Sequence, residues 1–275
     1  MKYVIIGNST AAVGAVEAIR RNDRSGSIVI IGSEKYHVYS RPLISYLLLG
    51  KTDEERMKYR GNDFYNEHRC ELKLGRTAMR IDLPKKQVIL DNGEAVSYDR
   101  LLVATGSSPV VPPIPGLDEV TYKFTFTTLD DAKALDAALF ENARVLILGA
   151  GLIGLKCAEG ISKKKVEITC VDLAPRVLSS ILDDQGSDVI KKHLEDHSIR
   201  FFLGRQVTGF DGNKAILDDK TGIPFDVLVL AVGVRPNVSL VRDIGGRVNR
   251  GILIDERCRT SIPDIYAAGD CCESM

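Results

Sequence analysis

The stretch Arg144 to Ile161, RVLILGAGLIGLKCAEGI, constrains the fold more than any other part of the chain. Four apolar residues, Val145 to Leu148, run into Gly149-Ala150-Gly151-Leu152-Ile153-Gly154, and a helical pattern follows. A strand, a tight glycine turn and a helix in that order predict a dinucleotide-binding unit. Gly149 permits the turn, Gly151 lets a pyrophosphate approach the backbone, and Gly154 lets the helix pack against the strand. Leu152 and Ile153 open the helix, where unpaired N–H groups and the positive dipole end favour phosphate. A second strand is expected at Val166 to Val171 and ends on Asp172. That acid lies 23 positions after Gly149, close to the ~20 at which such units place a ribose-binding carboxylate.

The chain begins with a relaxed version of the same plan. Lys2 to Ile6 reads as a buried strand, and Gly7-Asn8-Ser9-Thr10-Ala11-Ala12 as the turn into a helix reaching about Arg21. Serine and alanine replace the middle and last glycines, but small residues still permit close approach, and Gly14 follows two positions on. Ser27 to Ile31 is the second strand, and Glu34 just beyond it can accept hydrogen bonds from ribose hydroxyls. As a bland alternative, Glu34 is a solvated loop acid.

Between these units the punctuation is clear. Arg41-Pro42 can open a helix, with proline pre-set for the first turn. The charged segment Asp53 to Lys58 reads as surface helix. Cys70 to Tyr98 alternates and turns at Asp91-Asn92-Gly93, a hairpin signal, before a strand ending in Ala104-Thr105-Gly106. Pro109, Pro112, Pro113 and Pro115 favour an extended crossing between domains. Helices are expected over Thr128 to Phe140, with Thr128 or Asp130 as N-cap, and over Asp183 to His197, with short strands from Ile199 to Leu217.

The chain also repeats itself. QVILDNGEAVSYDRLLVATGSSP, Gln87 to Pro109, is echoed by KAILDDKTGIPFDVLVLAVGVRP, Lys214 to Pro236, with Gly233 in the second small-residue turn. Two copies of one plan predict an α/β protein of two Rossmann-like dinucleotide-binding domains, each a parallel central sheet with a β-meander. One domain is inserted in the other: 111–238 within 1–110 and 239–275, the segment from Gly251 to Asp270 returning to the first.

Composition excludes several classes. Lysine plus arginine and aspartate plus glutamate both total 37 in 275 residues, so no global field favours nucleic acid or an anionic membrane. No apolar run approaches a membrane span. Met1-Lys2 leads straight into a strand, leaving no room for a signal peptide, so a cytoplasmic location is expected. The six cysteines lack framework spacing and read as reduced thiols. His193 and His197 belong to His-Leu-Glu-Asp-His rather than HExxH, so surface histidines are expected there and no metal site.

The turns GNSTAA, ATGSSP, GAGLIG and AVGVRPN, followed by TSIPDIYAAGD, stand in an order that resembles the FAD-dependent pyridine nucleotide oxidoreductases, flavoproteins with two dinucleotide-binding domains. The resemblance covers nearly the whole chain, and YSRPLISY is most similar to the NADH:rubredoxin reductase and nitrite-reductase large-subunit branch. It implies that the first domain holds FAD and the inserted domain NAD(H). Gly7 to Ala12 would carry the FAD pyrophosphate and Glu34, with Lys35, the adenosine ribose. Arg41 and Pro42 would lie near the phosphates, the Ala78 backbone at the adenine edge, and Ala104, Thr105, Gly106 and Asp270 along the flavin and ribityl chain. Gly149, Gly151, Leu152, Ile153, Gly154, Asp172 and Gly233 would hold NAD(H). The carboxylate of Asp172 would repel a 2′-phosphate, which implies NADH, although Arg176 nearby could soften that choice.

Hydride transfer between nicotinamide and flavin needs no side chain as acid or nucleophile, so no catalytic residue is nominated. CxxxxC and CxxC pairs of the disulfide reductases are absent, and Ser45-Tyr46 stands where a related branch has a single redox cysteine. Electrons would pass to a small carrier protein such as rubredoxin or ferredoxin; oxygen, as in an NADH oxidase, is the alternative. Lys156 replaces a glutamate usual on the nicotinamide side, with Glu159 placed to pair with it. Family members continue past Gly-Asp with a flavin-facing helix and a further domain. The expectation is therefore a truncated chain or one completed by another polypeptide or by a homo-oligomer, with a non-catalytic nucleotide-binding subunit as the other reading. Adjacent Cys271 and Cys272 carry a minor redox option.

Overall fold

The structure, a computed structural model, describes residues 1–274; Met275, the end of the expected 239–275 segment, lies outside the described residues. The chain packs as two units. The first gathers Met1–Ser40, Lys58–Ser108 and the chain from Arg235 onward; the second gathers Arg41–Met57 and Pro109–Val234.

The first unit begins with strand β1 (Lys2–Ile6), helix α1 (Thr10–Asn22) and strand β2 (Ser27–Gly32). Short α2 (Ile44–Leu48) belongs to the second unit. The first unit then resumes with α3 (Phe64–Glu67), β3 (Cys70–Leu74), a meander of β4 (Ala78–Asp82), β5 (Gln87–Leu90) and β6 (Ala95–Ser97), and β7 (Arg100–Val103). After β8 (Ser107–Pro109) the second unit supplies β9 (Lys123–Phe124), α4 (Leu129–Ala138), β10 (Arg144–Leu148), α5 (Leu152–Ile161), β11 (Glu167–Asp172) and α6 (Asp184–Asp196). It continues with β12 (Ile199–Leu203), a second meander of β13 (Val207–Asp211), β14 (Lys214–Leu217) and β15 (Gly222–Pro224), and β16 (Val227–Leu230). Then β17 (Val234–Pro236), α7 (Ser239–Arg242), β18 (Ile252–Ile254), β19 (Ile265–Ala267) and β20 (Cys272–Ser274) follow.

The repeat in the sequence becomes a repeat in topology. Each unit has a five-stranded parallel sheet, ordered β3-β2-β1-β7-β19 in the first and β12-β11-β10-β16-β9 in the second. Near-continuous apolar runs such as Val4-Ile5-Ile6 and Val145 to Leu148 suit this pairing, because parallel strands are covered on both faces and need no polar alternation. Each unit also carries a three-stranded antiparallel meander, and both meanders shift register near the start of their first strand, between Ala78 and Arg80 and between Val207 and Gly209. In the first unit the core between sheet and meander joins Val4, Val29, Val88, Leu101 and Ile265; in the second it joins Leu146, Val171, Ala215, Phe225 and Leu228. Both units are Rossmann-type α/β folds.

Two local outcomes refine the sequence reading. The helix expected from Thr128 starts at Leu129, and Thr128 closes a reciprocal capping box with Asp131. The helix expected at Asp53 to Lys58 does not form. That segment is a turn in which Asp53 accepts the Arg56 N–H at 2.9 Å, with Met57 as its one buried apolar residue. A segment so short and without an apolar stripe cannot offset helix nucleation. Among the described residues no helix is long and apolar enough to cross a membrane.

Candidate functional site

The second unit builds its glycine turn from three differently used glycines. Gly149 has φ +110°, and a Cβ there would lie 2.3 Å from the Ala231 carbonyl oxygen, so the β10 and β16 ends meet only if the side chain is absent. A Cβ on Gly154 would lie 2.0 Å from the Gly149 carbonyl oxygen, so α5 rests directly on the turn. At Gly151 a Cβ would meet nothing within 4 Å. The packing of the chain does not ask for a bare backbone there; an anion approaching the helix N-terminus would. Leu152 and Ile153 supply the first N–H groups of α5, which have no carbonyl partner within the helix.

Asp172, at the end of β11, faces this turn. Its Oδ2 accepts the Ala150 N–H at 2.6 Å, and its Oδ1 accepts the Ala174 N–H at 2.7 Å. The carboxylate is fixed by backbone and keeps further acceptor capacity on each oxygen. Arg176 is turned to its own loop, paired with Asp184 at 3.0 Å and near the Ser179 carbonyl at 3.3 Å. Four large apolar side chains flanking the turn are open to solvent: Leu152 at the start of α5, Leu173 and Val232 in loops, and Val234 at the start of β17. Sequence reasoning passed over the last three. Gly233 lies between the valines at φ +126° with open space on its Cβ side.

Also in this unit, Arg41 opens a 3-10 turn, Arg41–Leu43, and donates to the Thr127 carbonyl at 3.0 Å; Pro42 beside it is exposed. These two residues therefore belong to the second unit. α2 lies against α5, where a Cβ on Gly160 would come within 3.1 Å of the Ser45 carbonyl oxygen. Tyr46 is a cation-stacked ring, with the Lys156 ammonium 4.3 Å and the Lys51 ammonium 5.6 Å from its centroid. Lys156 also pairs with Glu159.

The first unit repeats the same close approach. Gly7 has φ +120°, and its Cβ would lie 2.0 Å from the Ala104 carbonyl oxygen, the counterpart of Gly149 against Ala231. Ser9 caps α1 in extended conformation and its side chain makes no capping bond; Thr10 is exposed, and Ala12 is buried where Gly154 stands in the other unit. Asn8 is a structural hub. Its Oδ1 accepts the Tyr65 hydroxyl at 2.7 Å, its Nδ2 donates to the Tyr36 carbonyl at 3.2 Å, and the Val38 N–H donates to Tyr65 at 3.1 Å. Burial holds the Tyr65 hydroxyl above its ordinary pKa, so it stays protonated and can donate to Asn8. Glu34 accepts the Tyr39 hydroxyl at 2.5 Å, and Lys35 is exposed beside Tyr36.

Two further turns complete this cluster. Gly269 has φ +86°, and its Cβ would come within 3.2 Å of the Ala11 Cβ, which places exposed Asp270 next to the start of α1. Thr105 is clasped by Asn237, a residue that carried no role in the sequence reading. Thr105 donates to the Asn237 carbonyl at 2.9 Å, the Asn237 amide returns a bond to the Thr105 carbonyl at 2.9 Å, and the Asn237 N–H reaches the Gly106 carbonyl at 2.9 Å. Its one signal in the sequence was the final residue of AVGVRPN. The first unit thus brings Gly7 to Ser9, Glu34, Ala104 to Gly106 and Asp270 onto loops that follow its parallel strands, with Thr10 to Ala12 opening α1. Ala78 opens β4 in the meander, paired with Leu90.

The sequence matches the family described as pyridine nucleotide-disulphide oxidoreductase over residues 1–275. It is 32% identical to the assimilatory nitrate reductase electron transfer subunit of Bacillus subtilis, covering 99% of this chain and 36% of that protein. It is also 32% identical to the NADH-dependent phenylglyoxylate dehydrogenase subunit epsilon of Aromatoleum evansii, covering 97% of this chain and 64% of that protein. Among solved structures, the covalent putidaredoxin reductase–putidaredoxin complex superposes with a TM-score of 0.92 at 29% identity, covering 99% of this chain and 68% of the other. The chain therefore spans between about a third and two thirds of the curated relatives above.

Proposed function

Because the chain belongs to the pyridine nucleotide-disulphide oxidoreductase family, we propose that it oxidises NADH through bound FAD and passes the electrons to a small carrier protein. The observation that carries this reading is the duplicated cradle, in which a positive-φ glycine meets the carbonyl of a small-residue turn in each unit. FAD, when bound, supplies the acceptor for hydride and a route to one-electron partners.

The residues fit these two nucleotides. In the second unit Gly151 leaves room for a pyrophosphate, the α5 amides and dipole favour it, and Asp172 is held ready for ribose hydroxyls. Leu152, Leu173 and Val232 offer apolar walls for the bases. In the first unit the turn Gly7 to Ala12 takes the second pyrophosphate, Glu34 the adenosine ribose, and Thr105, Gly106 and Asp270 the ribityl and flavin side. Binding and orientation are the contribution of these groups; none acts as acid, base or nucleophile.

Two of the cysteines are set aside as electron relays by burial. Cys157 and Cys170 are fully buried, and burial raises both thiols, that of Cys170 to about 12, so neither reacts readily. Tyr46, where a related branch has cysteine, has no thiol chemistry. The structural relative captured with putidaredoxin supports a protein acceptor. Turnover of rubredoxin or ferredoxin by NADH-reduced protein tests the acceptor. Rapid reoxidation by oxygen with no carrier turnover would instead make this an oxidase. A colourless protein that takes up no FAD would make it a nucleotide-binding subunit.

A further inference from the structure

We propose that Cys271 and Cys272 are a reversible modification site that hydrogen peroxide closes into a vicinal disulfide. The two sulfurs lie 3.7 Å apart, in van der Waals contact, and closing to the ~2.05 Å of a bond takes side-chain rotation together with a twist of the peptide that joins the two residues. The pair is asymmetric in exposure. Cys271 is fully buried, whereas Cys272, at the start of β20, is partly open. The sulfur–sulfur contact lets one proton be shared by the pair, with either sulfur as its donor, the arrangement of a dithiol poised for oxidation.

The chemistry balances with peroxide as the oxidant. When the shared proton sits on Cys271, the Cys272 thiolate attacks the peroxide O–O bond, giving Cys272 sulfenic acid and hydroxide, which is protonated to water. The Cys271 sulfur, losing its proton, attacks the Cys272 sulfur and expels a second hydroxide, also protonated to water. Two thiols and one peroxide become one disulfide and two waters. An external thiol such as dithiothreitol reverses the change by exchange.

The site is positioned to affect the cradle of the first unit. Cys271 donates to the carbonyls of Val103 and Ala268, each at 3.4 Å, at the ends of β7 and β19. Those residues lead directly into Ala104 to Gly106 and Gly269-Asp270. A disulfide has no S–H, so oxidation removes both bonds and loosens both turns. That consequence rests on the first unit holding FAD; the thiol chemistry does not.

The test treats the whole folded chain with hydrogen peroxide, removes the peroxide, blocks free thiols with N-ethylmaleimide in denaturant, and maps the peptides by mass. The expected Cys271-Cys272 peptide carries no label, is lighter by two hydrogens, and takes two labels after dithiothreitol, while Cys258 stays labelled throughout. Full labelling of both cysteines after peroxide, dithiothreitol-resistant oxygenation of Cys272, or a bond from Cys272 to Cys258 would overturn the proposal. In FAD-loaded protein, flavin release should quicken on oxidation and recover on reduction; unchanged release with the bond formed overturns the link to the cradle. A chain that never takes up FAD refutes the reading of the first unit and leaves the mass result to decide the thiol chemistry.

Discussion

Three glycines of one motif are not equivalent, and substitution separates what each does. Gly149→Ala forces a Cβ to 2.3 Å from a backbone oxygen at a φ that alanine resists. Strain of about 1–3 kcal/mol, with the clash added, should markedly lower the unfolding midpoint in urea. Gly151→Ala meets nothing within 4 Å and should leave that midpoint nearly unchanged. It should instead weaken NADH binding about tenfold or more, roughly 1.4 kcal/mol, because the methyl occupies the approach of the phosphate. Titration calorimetry that finds equal NADH affinity in Gly151→Ala and the parent would contradict this assignment. Asp172 and Arg176 decide cofactor choice at the same scale. With the Asp172 carboxylate fixed by the Ala150 and Ala174 amides and Arg176 committed to Asp184, NADH should be preferred over NADPH. Asp172→Ala should narrow the ratio of the two kcat/KM values. A parent protein faster with NADPH sinks the argument.

Elements in this chain end where specific polar groups stop them, and some of those groups titrate. Thr128 and Asp131 close the N-terminus of α4, with Asp131 also accepting the Thr127 N–H at 2.8 Å. Thr128→Ala should cost about 1 kcal/mol, readable as a shift in thermal midpoint. At the feet of β10 and β16, Asp226 takes two bonds from the Arg144 guanidinium, at 2.9 and 2.7 Å, and one from the Arg144 N–H at 2.9 Å. The Arg144 side chain chiefly holds the Asp226 carboxyl down to about 2. A carboxyl depressed in the folded state stabilises above its unfolded pKa of about 3.9 and loses that contribution as pH falls through the folded value. Asp226→Asn should therefore flatten the stability loss between about pH 4 and pH 2. An unchanged acid limb would show that other carboxylates control it. The glycine turns, the meanders and the Thr128 cap were legible in the sequence because each depends on a few adjacent residues with fixed conformational demands. The clasp of Asn237 on Thr105 spans 132 positions and the Asn8–Tyr65 bond spans 57, so no local pattern announced them. Asp53 to Lys58 misled because charge alone resembles an exposed helix face.

At the scale of the whole molecule, one plan occurs twice: a parallel sheet, a glycine turn against a small-residue turn, and an antiparallel meander. The internal echo of Gln87 to Pro109 in Lys214 to Pro236 made that architecture readable before any coordinates. The sequence held no signal that residues 41–57 pack with the second unit, since that membership comes from α2 lying against α5. Two cradles in one chain make physical sense if two nucleotides exchange a hydride. Anaerobic titration of the FAD-reconstituted chain with NADH tests that exchange most directly, followed through the visible absorbance of the flavin. The flavin should bleach in proportion to added NADH, and Gly151→Ala should shift the titration to higher NADH. A chain that binds both nucleotides but whose flavin stays oxidised under excess NADH would contradict the exchange.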